Sequence, residues 1–222
     1  MLVQVVTDSP DNGEAMTSRR RRPGWILRLI GKTFLTAAAI VGAYILWLLW
    51  GTGIYYGRQQ DDLRGQIEVR IEEAAAAPEV AEPPPTLPGD AYAIMKIPDI
   101  ELNEVVVEGI ATEDLKKGPG HYPKSGDPWD EEGRVAIAGH RTTYGAPFWD
   151  LDKLDAGDEI VLETEQGDFH YVVTKTRIVA PTATGVTIPS EHPTLILTTC
   201  NPRFSAAERL IVFADRLEPV LQ

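Results

Sequence analysis

Residues 34–56, FLTAAAIVGAYILWLLWGTGIYY, run for 23 positions without a formal charge, and nothing else narrows the options for this chain as much. As a helix rising 1.5 Å per residue, the run is about 34 Å long, enough to cross a bilayer. It is apolar on every face, so a water-soluble fold would have to surround it completely. Arg19, Arg20, Arg21, Arg22, Arg28 and Lys32 precede it, whereas Arg58 is followed by Asp61 and Asp62. An excess of Lys/Arg on one flank marks the cytoplasmic side. Trp47, Trp50, Tyr55 and Tyr56 gather towards the other end, where amphipathic rings favour the headgroup level. A cleavable signal peptide is the competing reading, but its apolar region normally covers about 7–15 residues and ends in a small-residue cleavage pattern. The expectation is a basic cytoplasmic N-terminus over residues 1–33, one transmembrane helix over 34–56, and an extracytoplasmic remainder held at the cell membrane.

Residues 57–90 change character. Leu63, Ile67 and Ile71 recur at helical spacing, residues 74–77 are all alanine, and Pro83, Pro84 and Pro85 follow. A helix passing into a stiff polyproline segment reads as a stalk or linker. Charge divides at the same place: residues 1–56 hold six Lys/Arg against three Asp/Glu, and residues 57–222 hold fifteen against thirty, giving +3 and −15. So acidic a body repels nucleic acid, which is excluded as an expected partner. The chain has a single cysteine, Cys200, so neither an internal disulfide nor a multi-cysteine metal site can form. Two readings of Cys200 stay open, a small apolar residue packed in a core or a thiol kept for chemistry.

From residue 92 onward short β-type runs dominate, at 92–97, 104–107, 134–138, 159–163, 169–179, 194–199 and 209–217. Pro98-Asp99, Gly118-Pro119-Gly120, Ala156-Gly157-Asp158 and Gln166-Gly167-Asp168 supply turn chemistry between them. The expected architecture is mainly β, a closed or nearly closed barrel with short helices, since closure removes exposed sheet edges.

Cys200 ends an apolar run whose last residues turn polar before Asn201-Pro202 interrupts it. A thiol at a strand end is presented rather than packed. Attack requires the thiolate, only a few per cent populated at neutral pH without help, so a base or cation is needed nearby. His140 closes Ala136-Ile137-Ala138-Gly139-His140 in the same way, and Arg209 opens the last β-type run after a short loop from Cys200. Sixty residues separate His140 from Cys200, and spacing alone does not bring them together.

Taken together, Ala138-Gly139-His140-Arg141, Leu197-Thr198-Thr199-Cys200 and Arg209 resemble the signature of the sortases, a family of cysteine transpeptidases. Gly118-Pro119-Gly120-His121-Tyr122-Pro123 and Phe148-Trp149-Asp150-Leu151-Asp152-Lys153-Leu154 extend the likeness, which covers residues 91–218 and defines the expected catalytic domain. The resemblance implies an eight-stranded sortase β-barrel and no cofactor. It also implies a two-step acyl transfer on proteins bearing a Leu-x-x-Thr-Gly sorting signal. Cys200 is then the nucleophile, His140 the proton-transfer partner, and Arg209 the cation that binds substrate or stabilises the oxyanion. The implied acceptor is the amine of a peptidoglycan precursor such as lipid II, so that secreted proteins become fixed to the cell wall.

Thr198-Thr199-Cys200 with the following Asn-Pro, the Gly139–145 run and Ala206-Ala207-Glu208-Arg209 look most like the class E sortases of actinobacteria, a class associated with Leu-Ala-x-Thr-Gly signals. Tyr122, Thr198 and Thr199 are the implied substrate-binding residues, with Tyr122 reading the second signal position. Alternation along a strand puts Thr198 on the face of Cys200 and Thr199 on the other. Two alternatives stay open: a pilin-polymerising sortase, and a catalytically silent, membrane-tethered barrel that only binds peptides. His121, His170 and His192 have no metal-ligand spacing, and Asp127, Asp130, Glu131 and Glu132 lack the repeat of a calcium loop, so no metal is expected. Asp127-Pro128-Trp129 is similar to the lid of pilus-building sortases but falls inside the barrel segment.

Overall fold

The computed structural model describes residues 24–47, 51–76, 86–182, 188 and 190–217. The chain divides into two units, Met1–Tyr44 and Ile45–Gln222. All but the last two residues of α1 (Gly24–Leu46) fall in the first; the helix has no buried side chain and is long and apolar enough to cross a membrane. This helix differs from the expected 34–56 span. Arg28 and Lys32 do not end it, because their aliphatic stems can lie along an apolar helix while the charge reaches outward. At the other end residues 52–56 belong to a second helix, α2 (Thr52–Ala76). The tetra-arginine flank, Trp50 and the three successive prolines lie outside the described residues.

α2 occupies most of the stretch that reads as a stalk, but it packs on the second unit's own sheet. Leu63 and Ile67, with half-buried Ile71, sit against Ala91, Ile94, Val105 and Val107. Gln60 inserts its amide beside a strand: Nε2 donates to the carbonyls of Val105 (2.9 Å) and Lys117 (2.8 Å), and Oε1 accepts the Val105 N–H at 2.6 Å. Arg64 donates to the Asn103 carbonyl at 2.9 Å, and Arg70 pairs with Glu165 at 3.2 Å. An i, i+4 apolar stripe must be covered by something, and here the outer surface of the barrel covers it.

Eight strands follow: β1 (Ala91–Ile97), β2 (Leu102–Glu108), β3 (Gly120–His121), β4 (Arg134–Ala138), β5 (Glu159–Thr164), β6 (Gly167–Val179), β7 (Thr194–Asn201) and β8 (Glu208–Arg216). They close into a barrel in the order β1-β2-β3-β4-β7-β8-β6-β5. The seven expected runs all form strands, and the eighth, β3, is only two residues long, too short for periodicity to reveal. The turn Glu165-Gln166, one residue before the expected Gln166-Gly167-Asp168, joins β5 and β6 as a hairpin with Thr164 opposite Gly167. Short helices complete the unit: α3 (Thr112–Leu115) and the 3-10 turns Pro98–Ile100 and Leu151–Lys153.

Most neighbouring strands are antiparallel, but β2/β3 and β4/β7 are parallel. Residues 195, 197, 210 and 212 point inwards to the main core with Met95, Ile137 and Tyr171. Ile196, Ala136 and Ile211 form a separate cluster on the outer side of the same strands, with Tyr122 and Val179 packed against it. The central position of β7, parallel to β4 on one side and antiparallel to β8 on the other, decides what meets at the barrel rim.

Candidate active site

β4 and β7 pair with a constant offset of 60 residues, from Arg134 opposite Thr194 to Ala138 opposite Thr198. The ladder continues one step further, since the Gly139 N–H donates to the Thr198 carbonyl at 3.1 Å. The same offset carried on sets His140 against Cys200. On the other side of β7, Cys200 is directly opposite Arg209 in β8. Opposite residues of an antiparallel pair share a face, with Cβ atoms about 5 Å apart. Cys200 and Arg209 therefore share the outer face that also carries Ile196 and Ile211, and His140 follows the end of β4 at the same rim.

Cys200 is half-buried and reduced. Among the described residues its sulfur has no hydrogen-bond partner. His140 Nε2 is buried and likewise unpartnered, and burial pushes the ring's pKa below its ordinary value. The imidazole is thus held towards its neutral form, and among the described residues no acidic side chain pairs with it. Arg209 turns its guanidinium back on its own loop, donating to the carbonyls of Ala206 (3.1 Å) and Glu208 (3.0 Å).

Tyr122 lies on the same outer face. Burial raises its phenol pKa, while the Arg209 cation and the Thr198 hydroxyl act in the opposite direction, so the three polar groups are close neighbours. Thr199 is different. It is 3% exposed, and its hydroxyl donates to the Gly139 carbonyl at 2.8 Å. The structure brings Tyr122 and Thr198 to the Cys200 face but not Thr199, whose hydroxyl is spent tying β7 to the segment before His140.

The loop after β4 is tightly held. Gly139 is required by close approach, because a Cβ there would meet the Phe148 ring at 2.5 Å. The Phe148 N–H donates to the His140 carbonyl at 3.0 Å, and the Tyr144 ring lies 5.2 Å from that of His140. Tyr144, Gly145 and Ala146 all have left-handed backbones, with φ of 50°, 71° and 50°, costing about 1–2 kcal/mol for each non-glycine residue. Strain of this kind persists only where surroundings over-determine it. Here the Tyr56 ring of α2 abuts Gly145, where an added Cβ would come within 2.3 Å of it, and the Tyr56 hydroxyl donates to Glu104 at 2.9 Å.

Arg141 has no assigned role from the sequence, yet its side chain is buried at the site. Nη1 donates to the Cys200 carbonyl (3.3 Å) and to Asn201 Oδ1 (2.7 Å), and Nη2 pairs with Asp152 at 2.9 Å. Adjacency to His140 was the only available signal, because nothing in the spacing pairs Arg141 with Asp152 or Asn201.

A Ser-His-Glu arrangement lies elsewhere. His121 Nδ1 is 2.8 Å from Glu108 Oε2, and its Nε2 is 2.9 Å from Ser125 Oγ. The Ser125 hydroxyl accepts from the Ala136 N–H (3.1 Å) and donates to the Tyr122 carbonyl (2.9 Å), while His121 stacks on Tyr92 at 4.2 Å. With the hydroxyl and ring so engaged, this group ties residues 121–125 to β2 and β4. Asp127 accepts from the Tyr92 hydroxyl at 2.6 Å and Asp130 from the Asp127 N–H at 2.8 Å, so this part of the acidic loop is pinned to the barrel.

A half-buried thiol opposite a permanent cation, with an imidazole two residues beyond the neighbouring strand, has the parts that acyl transfer through a covalent intermediate requires. Comparison with known proteins points the same way. A family model described as the sortase domain matches residues 95–217. Sortase SrtE1 of Streptomyces coelicolor is 29% identical over 221 residues, covering 90% of this chain and 61% of that protein. Sortase D of Bacillus subtilis is 40% identical over 134 residues, covering 58% of this chain and 65% of that one. The chain thus spans less than two thirds of the length of either relative. Among solved structures, sortase E from Streptomyces avermitilis superimposes with a TM-score of 0.53 at 40% identity, over 60% of this chain and 91% of that chain. A Clostridium perfringens sortase D5 transpeptidase gives a TM-score of 0.62 at 26% identity, over 72% and 99%.

Proposed function

The chain belongs to the sortase family and is class E-like; from that premise we propose that it cleaves a Leu-Ala-x-Thr-Gly or Leu-Pro-x-Thr-Gly sorting signal between Thr and Gly. The Cys200 thiol passes its proton to His140 and the sulfur attacks the Thr carbonyl, whose oxygen takes up negative charge. Arg209, with several donors on a fixed cation, stabilises that oxyanion or holds the substrate against it. Collapse breaks the carbon–nitrogen bond, and His140 gives a proton to the departing glycine amine. An incoming amine then attacks the thioester, His140 accepts its proton, and the Cys200 thiolate is released. The acceptor is the amine of a cell-wall precursor, lipid II or a similar molecule, and the product is a secreted protein attached to peptidoglycan.

The observation that carries this reading is the strand register at the rim, with Cys200 opposite Arg209 and the β4/β7 offset of 60 leading to His140. Once the Cys200 proton is transferred, the thiolate is the counter-ion for the imidazolium, which is consistent with a His140 ring that has no acidic partner among the described residues. Tyr122, with Thr198 and Arg209 beside it, reads the second signal position through its hydroxyl. α1 anchors the chain as a single span of the cell membrane. The arginine-rich flank at residues 19–22 assigns the N-terminus to the cytoplasm and the barrel to the outside.

The test uses the full chain in detergent with both peptides. Mass spectrometry should find an acyl adduct on Cys200 and free product beginning with Gly, both lost in Cys200→Ala. Gly release by Cys200→Ala would exclude Cys200 as nucleophile, and a wild-type chain that forms no adduct would be a silent binding barrel. Tyr122→Phe should change the ratio of Ala to Pro peptide turnover; an unchanged ratio removes Tyr122 from selection.

A further inference from the structure

Arg141 follows His140 in sequence, but its guanidinium acts on the strand that bears Cys200. It is 3% exposed, and its Nε is buried without a partner. The other two nitrogens bridge the Cys200 carbonyl, Asn201 Oδ1 and Asp152. Asp152 is in turn gripped by Arg203, whose Nη2 lies 2.8 Å from Asp152 Oδ1, 3.4 Å from Asp150 Oδ1 and 2.9 Å from the Trp149 carbonyl. The ladder between β4 and β7 ends with Gly139, bonded to Thr198 and Thr199. Beyond that point, among the described residues, Arg141 supplies the hydrogen bonds that join residues 140–141 to residues 200–201.

Burying a guanidinium is unfavourable unless it is paired and hydrogen-bonded, and a neutral amide could tie two loops at lower cost. What an amide lacks is a rigid planar fork able to reach acceptors on two segments at once. We propose that Arg141 is a positioning residue that sets the distance and angle between the His140 ring and the Cys200 sulfur, with Asp152, braced by Arg203, as its anchor. The proposal rests on the reading of Cys200 and His140 given above. It adds an electrostatic consequence. Asp152 masks the positive charge that Arg141 holds at Cys200, so removing either charge of the pair acts on the thiolate with opposite sign.

The experiment compares the full chain with Arg141→Gln, Arg141→Lys and Asp152→Asn, using two measurements. Alkylation by iodoacetamide at one fixed pH reports Cys200 alone, because it is the single cysteine. Turnover of the Leu-Ala-x-Thr-Gly peptide gives kcat and KM. Arg141→Gln should lower kcat on the order of 10²-fold, as a misplacement of about 1 Å does, with KM changed less than about threefold. It should also slow alkylation. Arg141→Lys, which can replace one contact but not all, should restore part of kcat. Asp152→Asn keeps an acceptor for Arg141 but unmasks its charge, and should speed alkylation. A kcat for Arg141→Gln within about threefold of wild type, or alkylation shifts of the same sign in the Gln and Asn variants, overturns the proposal. If the wild type cleaves no peptide, the proposed function fails, while the opposed alkylation shifts still decide the role of Arg141.

Discussion

Replacing Ile67 with alanine should destabilise the whole barrel, although Ile67 lies in the stretch whose composition reads as a tether. Ile67 is fully buried, between α2 and the outward side chains Ala91, Ile94, Val105 and Val107. The substitution removes three carbons, about 2.4 kcal/mol at about 0.8 kcal/mol for each buried methylene. The unfilled space adds a cavity term, so that about 2–4 kcal/mol is expected in all. In a domain of this size each kcal/mol moves Tm by about 2–4 °C, and a fall of about 4–16 °C follows. The loss becomes global because Gln60 is bonded into β2 at Val105, so α2 and the barrel unfold together. Val69→Ala is the control, since Val69 is 53% exposed on the same helix and should move Tm by no more than about 2 °C. Thermal melts of the full chain in detergent, followed by far- and near-ultraviolet circular dichroism, decide the matter. Equal melting of the two variants would mean that α2 is a stalk that contributes nothing to the fold.

Three further outcomes concern the site. Burial lowers the His140 pKa below 6.5, so between the two values the unfolded chain binds more protons; the fold gains stability as pH rises through that window and loses it as pH falls from about 6.5. The slope of Tm between about pH 5 and 7 should therefore be shallower in His140→Gln, and parallel slopes would contradict a desolvated ring. Gly145→Ala forces a left-handed alanine against the Tyr56 ring and should slow turnover; adding Tyr56→Ala should relieve part of the defect, whereas strictly additive effects would show that the contact does not shape the loop. Thr199→Val breaks the bond to the Gly139 carbonyl and should cost about 1–3 kcal/mol of stability while lowering kcat at constant KM; a raised KM would return Thr199 to the substrate surface.

How far these features can be read from the sequence depends on whether the physical signal is local. Strand ends are local: the change from Leu195-Ile196-Leu197 to Thr198-Thr199-Cys200 and the break at Asn201-Pro202 mark where β7 stops. β3 escapes because two residues carry no period. The stripe of Leu63, Ile67 and Ile71 is equally visible, but its pattern is the same whatever surface covers it, so the docking of α2 on β1 and β2 appears only in the structure. Arg141 is concealed for a related reason. Arginine is almost never fully buried unless paired, and its pairing with Asp152 and the Cys200 carbonyl depends on a loop path that no spacing encodes.

Strand direction is the remaining non-local element, and it decides the site. His140 follows the C-terminal end of β4, Cys200 lies near the C-terminal end of β7, and Arg209 stands at the start of β8. A residue at a strand's end and one at its neighbour's beginning meet when the two run antiparallel, as β7 and β8 do. Two residues that both stand at strand ends meet only when the strands run parallel, as β4 and β7 do. Had β4 paired with β7 in the commoner antiparallel sense, its five residues would have carried His140 to the opposite rim, about 17 Å away at 3.3 Å per residue. Cys200 would then face Arg209 with no base within reach. A parallel pair requires a long crossover between its strands, and the intervening β5 and β6, which close the other side of the barrel, supply it. The sixty-residue spacing of His140 and Cys200 is thus what leaves room for that crossover.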